Sequence, residues 1–395
     1  MSDSLSKSSG AHRRFTPRTR LAITAVGGGL AASTALLTAG SNAAFAAPVT
    51  PSFHGGPSAS TVYTETNQVA GNTVLAYRTN PGGGLTPIES VSTGGTGTGK
   101  GTGSQGGVTL GDDGHVLAVV NAGSDSVSVF SVDPWGFLHL IDTASSGGVE
   151  PISVTVNGSW VYALNAGNGT TPGNIAGFNF LFRGQPEVVQ SLNAAANAPE
   201  QISFTPNGRD LVVTEKASNT IDVFPVGFFG VAGPAVTTTL AAGTAPYGFG
   251  FSANGDVVVS DAGLGALSSF SVNPNGTLTA ISTDVPDGQL APCWVAVTPD
   301  GHEAFTANAH SGTVSAYAIA PDGTLSLLSP AVQASPGVGD TDLAVAGNST
   351  LYIADQPNVD ASTINPSGSL NPSSPVVTGD LAGTFGLAAT DAFGF

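Results

Sequence analysis

Residues 291–301 read APCWVAVTPDG, an alternating apolar strand followed by a tight turn. The same pattern returns as APEQISFTPNG at 198–208 and as APYGFGFSANG at 245–255. Successive turn glycines are separated by 44, 50, 47 and 46 residues; they are Gly114, Gly158, Gly208, Gly255 and Gly301. A repeat of this length is typical of one β-propeller blade of four strands. The sequence therefore predicts an all-β fold built from such blades.

The number of blades follows from the strand that comes after each turn. Each of these second strands is apolar and ends on a polar residue; the end residues are Thr66, Asn121, Asn165, Glu215, Asp261, Asn308 and Asp355. The first of these strands, at 62–66, has no innermost strand before it, whereas residues 384–390 have the innermost-strand pattern at the other end of the chain. We predict a seven-bladed β-propeller over residues 62–395, whose ring is closed by pairing 384–390 in blade one.

The first 46 residues lie outside the repeat and are typical of an export signal. Five basic residues precede an apolar stretch at 21–39, and Ala44-Phe45-Ala46 forms a small-x-small cleavage site. We predict cleavage before Ala47, a lead-in over residues 47–61 and a secreted mature protein. A retained membrane span is the alternative, although glycines and hydroxyl residues dilute the apolar stretch. Arg13-Arg14 leaves the twin-arginine route open beside the general secretory route.

The charge of the chain limits its partners. The whole chain has a formal charge of −17, and five of its ten basic residues but only one of its 27 acids precede Ala47, so the remainder has a charge of −21. Such a surface repels phosphate backbones and anionic lipid, so we expect no nucleic-acid partner and no membrane insertion after cleavage. Cys293 is the only cysteine, which rules out a disulfide within the chain. We expect it to be a buried thiol, and the protein to be a monomer.

The repeat resembles the seven-bladed propeller lactonases, a family that includes 6-phosphogluconolactonases, and more loosely the YVTN-type surface propellers. The similarity lies in a Pro-x-x-apolar-x-apolar-x-Pro-Asp/Asn-Gly strand followed by a Leu-Tyr-x-Ala-Asn-like strand, and it covers nearly all of the mature chain. It implies the propeller fold and a lactone-hydrolysing pocket of Arg, His and Glu at the channel mouth. This chain has Pro199-Glu200-Gln201 where the family pattern has Pro-Arg-His, and only the following glutamate, Glu215, matches.

Aligning the blades predicts a candidate ligand site at one mouth of the channel. The residues proposed to bind ligand at the starts of the innermost strands are Glu200, Gln201, Tyr247, Trp294, Asp340 and Asp342. The polar ends of the second strands are expected to face the same mouth. Aromatic walls with a few convergent polar groups are typical of ligand pockets. An acidic, aromatic mouth suits a sugar, a polyol, a cationic ligand or a divalent ion, and we predict no organic cofactor.

Two functions therefore remain open from the sequence. The first is a non-catalytic exported propeller that binds a small ligand or partner at its mouth. The second is a lactone hydrolase or isomerase with a rebuilt site, in which Glu215 is the general base and His310 assists. The Gly- and Thr-rich stretch 94–107 lacks the strand and helix of a phosphate-binding loop, and we predict a mobile connection between blades one and two.

Overall fold

The computed structural model describes residues 59–111, 114–182, 188–192, 198–333, 340–355, 357–372, 374–377 and 385–390. These residues form seven antiparallel sheets of four strands each, as the repeat predicts. The predicted signal segment, 1–46, and most of the lead-in lie outside the described residues. Among the residues that are described, no helix is long and apolar enough to cross a membrane.

The strands follow one another around the ring in chain order. Blades one to three contain β1 (Thr61–Glu65), β2 (Thr73–Thr79), β3 (Leu85–Ser92), β4 (Val108–Leu110), β5 (Val116–Asn121), β6 (Ser126–Val132), β7 (Leu138–Ser145), β8 (Pro151–Asn157), β9 (Trp160–Asn165), β10 (Asn174–Asn179) and β11 (Val188–Ser191). A 3₁₀ helix, Phe180–Phe182, follows β10.

Blades four to seven repeat the same order. Their strands are β12 (Pro199–Phe204), β13 (Asp210–Glu215), β14 (Thr220–Pro225), β15 (Val236–Thr239), β16 (Pro246–Phe251), β17 (Val257–Asp261), β18 (Ala266–Val272), β19 (Leu278–Pro286), β20 (Pro292–Val297), β21 (Glu303–Asn308), β22 (Thr313–Ile319), β23 (Leu325–Gln333), β24 (Asp340–Ala346), β25 (Thr350–Asp355), β26 (Asn358–Thr363) and β27 (Ser374–Val377). The last strand, β28 (Phe385–Ala389), pairs with β1 and belongs to blade one.

The ring is closed by β28, which confirms the prediction. Val62 lies opposite Ala389 and Tyr63 opposite Ala388 in this antiparallel pair. Beyond the strand, the backbone N–H of Thr61 donates to the Thr390 hydroxyl at 2.8 Å. The innermost strands of the seven blades are β28, β4, β8, β12, β16, β20 and β24, and each contacts the innermost strands of both neighbouring blades. They therefore surround a closed central channel.

Apolar side chains and repeated tyrosines hold neighbouring blades together. Leu387 and Val62 of blade one pack with Tyr352 of blade seven in one apolar cluster. The Tyr352 hydroxyl also donates to the Gly83 carbonyl of blade one at 3.0 Å, and Tyr63 of blade one donates to Gly136 of blade two at 2.8 Å. A buried tyrosine brings a large apolar area but needs a partner for its hydroxyl, and the next blade provides that partner.

Candidate functional site

We call the end of the channel where the innermost strands begin the mouth. In four blades, the residue just before the innermost strand has the same unusual backbone conformation. The residue before the first proline of the innermost strand has a positive φ; these residues are Glu150, Ala198, Ala245 and Ala291. Their carbonyls accept the N–H of the residue that follows each second strand; the donors are Ala166, Lys216, Ala262 and Ala309. A non-glycine residue with positive φ is held only by surrounding structure. The repeated bond therefore fixes the start of these innermost strands at the mouth.

The segment between blades one and two crosses this mouth. We call residues 97–106 the strap. The Trp294 indole Nε1–H donates to the Ser104 carbonyl at 2.9 Å, and the Tyr247 hydroxyl donates to the Gly103 carbonyl. The backbone N–H of Gln105 donates to the Glu200 carbonyl at 3.1 Å. The strap thus accepts hydrogen bonds from both aromatic residues that were predicted to face a ligand.

This stretch, which was predicted to be a mobile connection between blades one and two, makes defined contacts at the mouth. Several of its glycines allow close packing and positive φ. A Cβ at Gly97 would lie 2.1 Å from the Asn67 backbone, and Gly99 and Gly103 have φ values of 71° and 66°. Only glycine adopts these conformations without cost. Composition alone does not distinguish such a segment from a mobile one.

Gln105 spans the channel from blade two to blade six. Its Nε2 donates to the Val295 carbonyl at 2.6 Å, and its Oε1 accepts the Val295 N–H at 2.9 Å. The side-chain amide thus pairs with one peptide unit as a neighbouring strand would. Gln201 makes the same two bonds with Phe249 of blade five, at 3.0 and 2.7 Å. Each amide thus makes one donor bond and one acceptor bond within the protein.

A buried carboxyl and a half-exposed lysine lie beside the strap. The Lys216 ammonium forms an ion pair with the Glu200 carboxylate, and its Nζ lies 4.8 Å from the centre of the Tyr247 ring. Glu200 is 4% exposed. Burial raises the pKa of Glu200 to about 7, while Lys216 and Tyr247 act in the opposite direction. Removal from water disfavours the carboxylate, so this group titrates near neutral pH.

Asp342 joins three segments of the chain at the mouth. One carboxylate oxygen accepts the Leu343 N–H at 2.8 Å and the other accepts the Leu387 N–H of β28 at 2.9 Å. A further bond from the Gly106 backbone at the end of the strap lowers the pKa of this carboxyl, but burial dominates and raises the pKa to about 7. The Asp342 carboxylate is therefore engaged by backbone amides. The Asp340 backbone pairs with Asp355, and its side chain lies outside the described part of the structure.

The second strands end on a ring of polar residues inside the blades. The ring consists of Glu65, Asn121, Asn165, Glu215, Asp261, Asn308 and Asp355, each at most 2% exposed. One sequence prediction is wrong here, because β1 ends at Glu65 and not at Thr66. Asn121 and Asn308 donate to serine hydroxyls of the adjacent strand, Ser128 at 2.8 Å and Ser315 at 2.9 Å. These residues connect second strands to third strands.

The two residues predicted to be catalytic lie in different surroundings. Glu215 is buried, and its Oε2 accepts hydrogen bonds from the hydroxyls of Ser218 at 3.1 Å and Thr220 at 3.0 Å. His310 is an exposed turn residue after β21. None of the described hydrogen bonds or ion pairs joins them. Cys293 is a buried free thiol, as predicted, and burial raises its pKa to about 12.

Below the strap the channel contains a cavity of about 270 Å³. Gln105, Gln201 and Asp342 contribute to its wall at the mouth end. The rest of the wall is mainly apolar and includes Val108 and Ala389. No three His, Cys, Asp or Glu side chains of the described residues lie together in a way that could hold a metal ion. The polar chemistry of the mouth is thus concentrated at Glu200, Lys216, Tyr247 and Trp294.

Sequence reasoning found Glu200, Tyr247 and Trp294, but it did not predict that the strap covers them. The bond between Trp294 and Ser104 joins residues 190 positions apart. No local pattern encodes such a contact.

Known structures share this architecture. A protein from Bacteroides fragilis, assigned provisionally as a 6-phosphogluconolactonase, superposes with a TM-score of 0.67 at 19% identity, over 85% of this chain and 98% of its own. The periplasmic gluconolactonase of Pseudomonas aeruginosa gives a TM-score of 0.67 at 17% identity, over 84% and 98%. Virginiamycin B lyase from Staphylococcus aureus gives 0.52 at 14% identity, over 73% and 88%. At these identities the similarity shows the fold alone.

A search of curated proteins finds no match. The family model described as "Lactonase, 7-bladed beta-propeller" matches residues 61–170 and 235–343, which together are more than half of the chain. The chain therefore belongs to the lactonase family of seven-bladed β-propellers.

Proposed function

We propose that this protein is an exported propeller that binds a small, uncharged, oxygen-rich ligand, such as a sugar or polyol, at its mouth. The observation that carries the proposal is the pair of buried aromatic donors, the Tyr247 hydroxyl and the Trp294 indole N–H, which both point at carbonyl oxygens. Their rings meet edge to face with centroids 5.6 Å apart. Such groups offer apolar faces together with hydrogen bonds to ligand oxygens.

The charges at the mouth favour a neutral ligand over an ionic one. Glu200 is paired with Lys216, and the Asp342 carboxylate accepts backbone N–H groups. Neither acid is left to attract a cation, and the lysine is not left to attract an anion. The proposed ligand-binding set also includes Gln201 and Asp340, at the starts of their innermost strands. A phosphorylated acid would require cations where this chain has Pro199-Glu200-Gln201.

Lactone hydrolysis is the second candidate function, and family membership favours it. The sequence assigns the general base to Glu215 with help from His310. Glu200 is the stronger candidate for this role in the structure, because its pKa of about 7 makes its carboxylate a proton acceptor near neutral pH. Its partner Lys216 is 40% exposed and lies within reach of solvent.

Calorimetry and lactone assays on the protein beginning at Ala47 test the two functions together. The probes are glucose, mannitol, glucono-δ-lactone and 6-phosphoglucono-δ-lactone. We expect binding of an uncharged probe without turnover, and at least roughly 10-fold weaker binding for Trp294→Ala because the aromatic wall is lost. Glu200→Gln should also weaken binding, whereas Phe228→Ala, at an exposed site, should not. Lactone turnover that is abolished by Glu200→Gln or Glu215→Gln would establish the hydrolase instead.

Export and oligomeric state belong to the same proposal. Mass spectrometry of the secreted protein should give an N-terminus at Ala47, and light scattering should give the mass of a monomer. A secreted or membrane-associated form that retains residues 21–39 would show that the protein is anchored instead.

A further inference from the structure

The strap has no apolar side chain. Its ten residues are Gly97, Thr98, Gly99, Lys100, Gly101, Thr102, Gly103, Ser104, Gln105 and Gly106. Burial of apolar area, which dominates the stability of the blades, therefore contributes little to holding the strap closed. Its closure depends on hydrogen bonds, each of which has a small net effect because water can replace it.

The two ends of the strap are held more firmly than its centre. At the N-terminal end, the Asn67 side chain accepts the Thr98 N–H at 2.8 Å and donates to the Lys100 carbonyl at 2.5 Å. At the C-terminal end, Gly106 bonds to Asp342 and the chain continues into β4. The Gly106 carbonyl also accepts the Val154 N–H at 2.8 Å. The ends are thus fixed to the blades on both sides.

The centre of the strap, residues 101–105, is held differently. The bonds to its Gly103 and Ser104 carbonyls come from the side chains of Tyr247 and Trp294. The Ser104 hydroxyl donates to the Ile152 carbonyl at 2.8 Å, and the Gln105 amide pairs with Val295. Ligand or water oxygens could replace the two strap carbonyls at these donors. The centre of the strap thus binds to the donors of the proposed site in place of a ligand.

We propose that residues 101–105 form a gate, which opens about its fixed ends and uncovers a ligand site formed by Tyr247, Trp294 and Glu200. The gate rests on the proposed function and adds to it. In the closed state the Gly103 and Ser104 carbonyls accept the hydrogen bonds of Tyr247 and Trp294, and in the open state oxygens of the ligand accept them instead. Opening itself requires no ligand, and it is measurable whether or not the ligand class is correct.

Cys293 is a natural reporter of this opening. It is the only cysteine, it is 8% exposed, and it precedes Trp294 on the strand that the gate covers. Cys293 packs in the same buried cluster as Tyr247 and Trp294, so its sulfur lies close to the site. A thiol reagent that reaches Cys293 without global unfolding must enter through the mouth or through a local opening of the blades.

The experiment compares the rate at which methyl methanethiolsulfonate labels Cys293 in the mature protein and in Gln105→Ala. Loss of two amide bonds to Val295 should increase the labelling rate roughly 10- to 100-fold, more than any change in the urea midpoint explains. Gln201→Ala is the matched control, because it removes the same pair of amide bonds from β12 and leaves the gate intact. Its labelling rate should rise only as far as its loss of global stability explains.

A labelling rate in Gln105→Ala equal to that of the wild type, or a rise that follows global unfolding, would overturn the gate and make the strap a permanent plug. Hydrogen exchange of the wild-type protein gives an independent result. The Gln105 amide should exchange by local opening, much faster than the Phe249 amide inside blade five; equal protection of the two would also overturn the gate. If labelling supports the gate but glucose and mannitol do not bind, the ligand class is wrong and the gate stands.

Discussion

β28 closes the ring of blades, whereas the strap covers the mouth of the channel, and different forces hold these two segments. β28 pairs along its length with β1, and its Leu387 and Ala388 pack into apolar clusters shared with blades seven and two. The strap crosses the mouth with only glycine and polar residues and is held by hydrogen bonds. Closure by burial is part of the global fold, whereas closure by hydrogen bonds alone can open locally. The comparison separates what keeps the propeller a ring from what covers its mouth.

The largest effect should come from removing the ring closure. Deletion of residues 384–395 leaves β1 without its partner and exposes a strand edge, so we expect loss of cooperative melting and aggregation. Scanning calorimetry with light scattering measures both. The control is Leu387→Ala, which loses packing but keeps the backbone pairing and should still melt cooperatively at a lower temperature. A truncated chain that melts within a few degrees of the protein beginning at Ala47 would contradict the closure.

Asp342 is the residue that joins the two closures, since it accepts N–H groups from Leu387 of β28 and from Gly106 of the strap. Asp342→Leu leaves these donors buried without acceptors, which should cost at least about 3 kcal/mol of unfolding free energy. Asp342→Asn retains one acceptor oxygen and should lose less. Urea denaturation measures both variants. If Asp342→Leu keeps wild-type stability, the carboxylate does not hold β28 and the strap together.

Glu200, which lies beside the strap, should make the unfolding free energy depend on pH. Its pKa is about 7 in the folded protein against an ordinary value of 4.5, so the folded state binds more protons between these values. Its stabilising contribution is present below about pH 4.5 and is lost as pH rises through 7. Glu200→Gln should therefore be more stable than the wild type at pH 8, by about 3 kcal/mol, and equal to it at pH 4.

Thermal melts at both pH values check this difference, with Asp322→Asn as the control. Asp322 is exposed and its pKa is lowered by hydrogen bonds to Thr324, so its replacement should give no gain at pH 8. A Glu200→Gln variant that is less stable at pH 8 would mean that the ion pair with Lys216 outweighs the burial of the carboxylate.

The smallest effect should come from a residue outside both closures. Phe228 is 98% exposed at the tip of the connection between β14 and β15. Phe228→Ser should change the unfolding free energy by less than about 0.5 kcal/mol, because the side chain has little area to lose from the core. A urea curve displaced by more than this would show that the tip contributes to the fold.

Much of the propeller could be predicted because its signals are local and repeated. The apolar alternation of 291–301 and its copies fixed the innermost strands, and turn glycines such as Gly301 fixed the blade length. The pattern at the C-terminal end predicted β28, because a ring of sheets must pair its first and last strands. The end of β1 was misplaced by one residue, next to a bulge in its pairing with β28.

The candidate site could be predicted only in part. Alignment of the blades predicted that Glu200, Tyr247 and Trp294 lie at the mouth. The hydrogen bonds of Asn121 and Asn308 to buried serine hydroxyls were not predicted, because a polar residue at a strand end is equally compatible with solvent and with a buried serine partner.

The sequence by itself determined the seven blades, their closure and the residues that each blade places at the mouth, because propeller repeats are encoded by alternation and turn chemistry within single blades. Only the tertiary structure decided what those residues contact. Gln105 pairs with Val295 across the channel, Asp342 joins β28 to the strap, and Trp294 reaches Ser104, all between segments far apart in the chain. A glycine-rich segment has no side-chain pattern from which such contacts could be predicted. Its position over the mouth depends on the geometry of the closed ring.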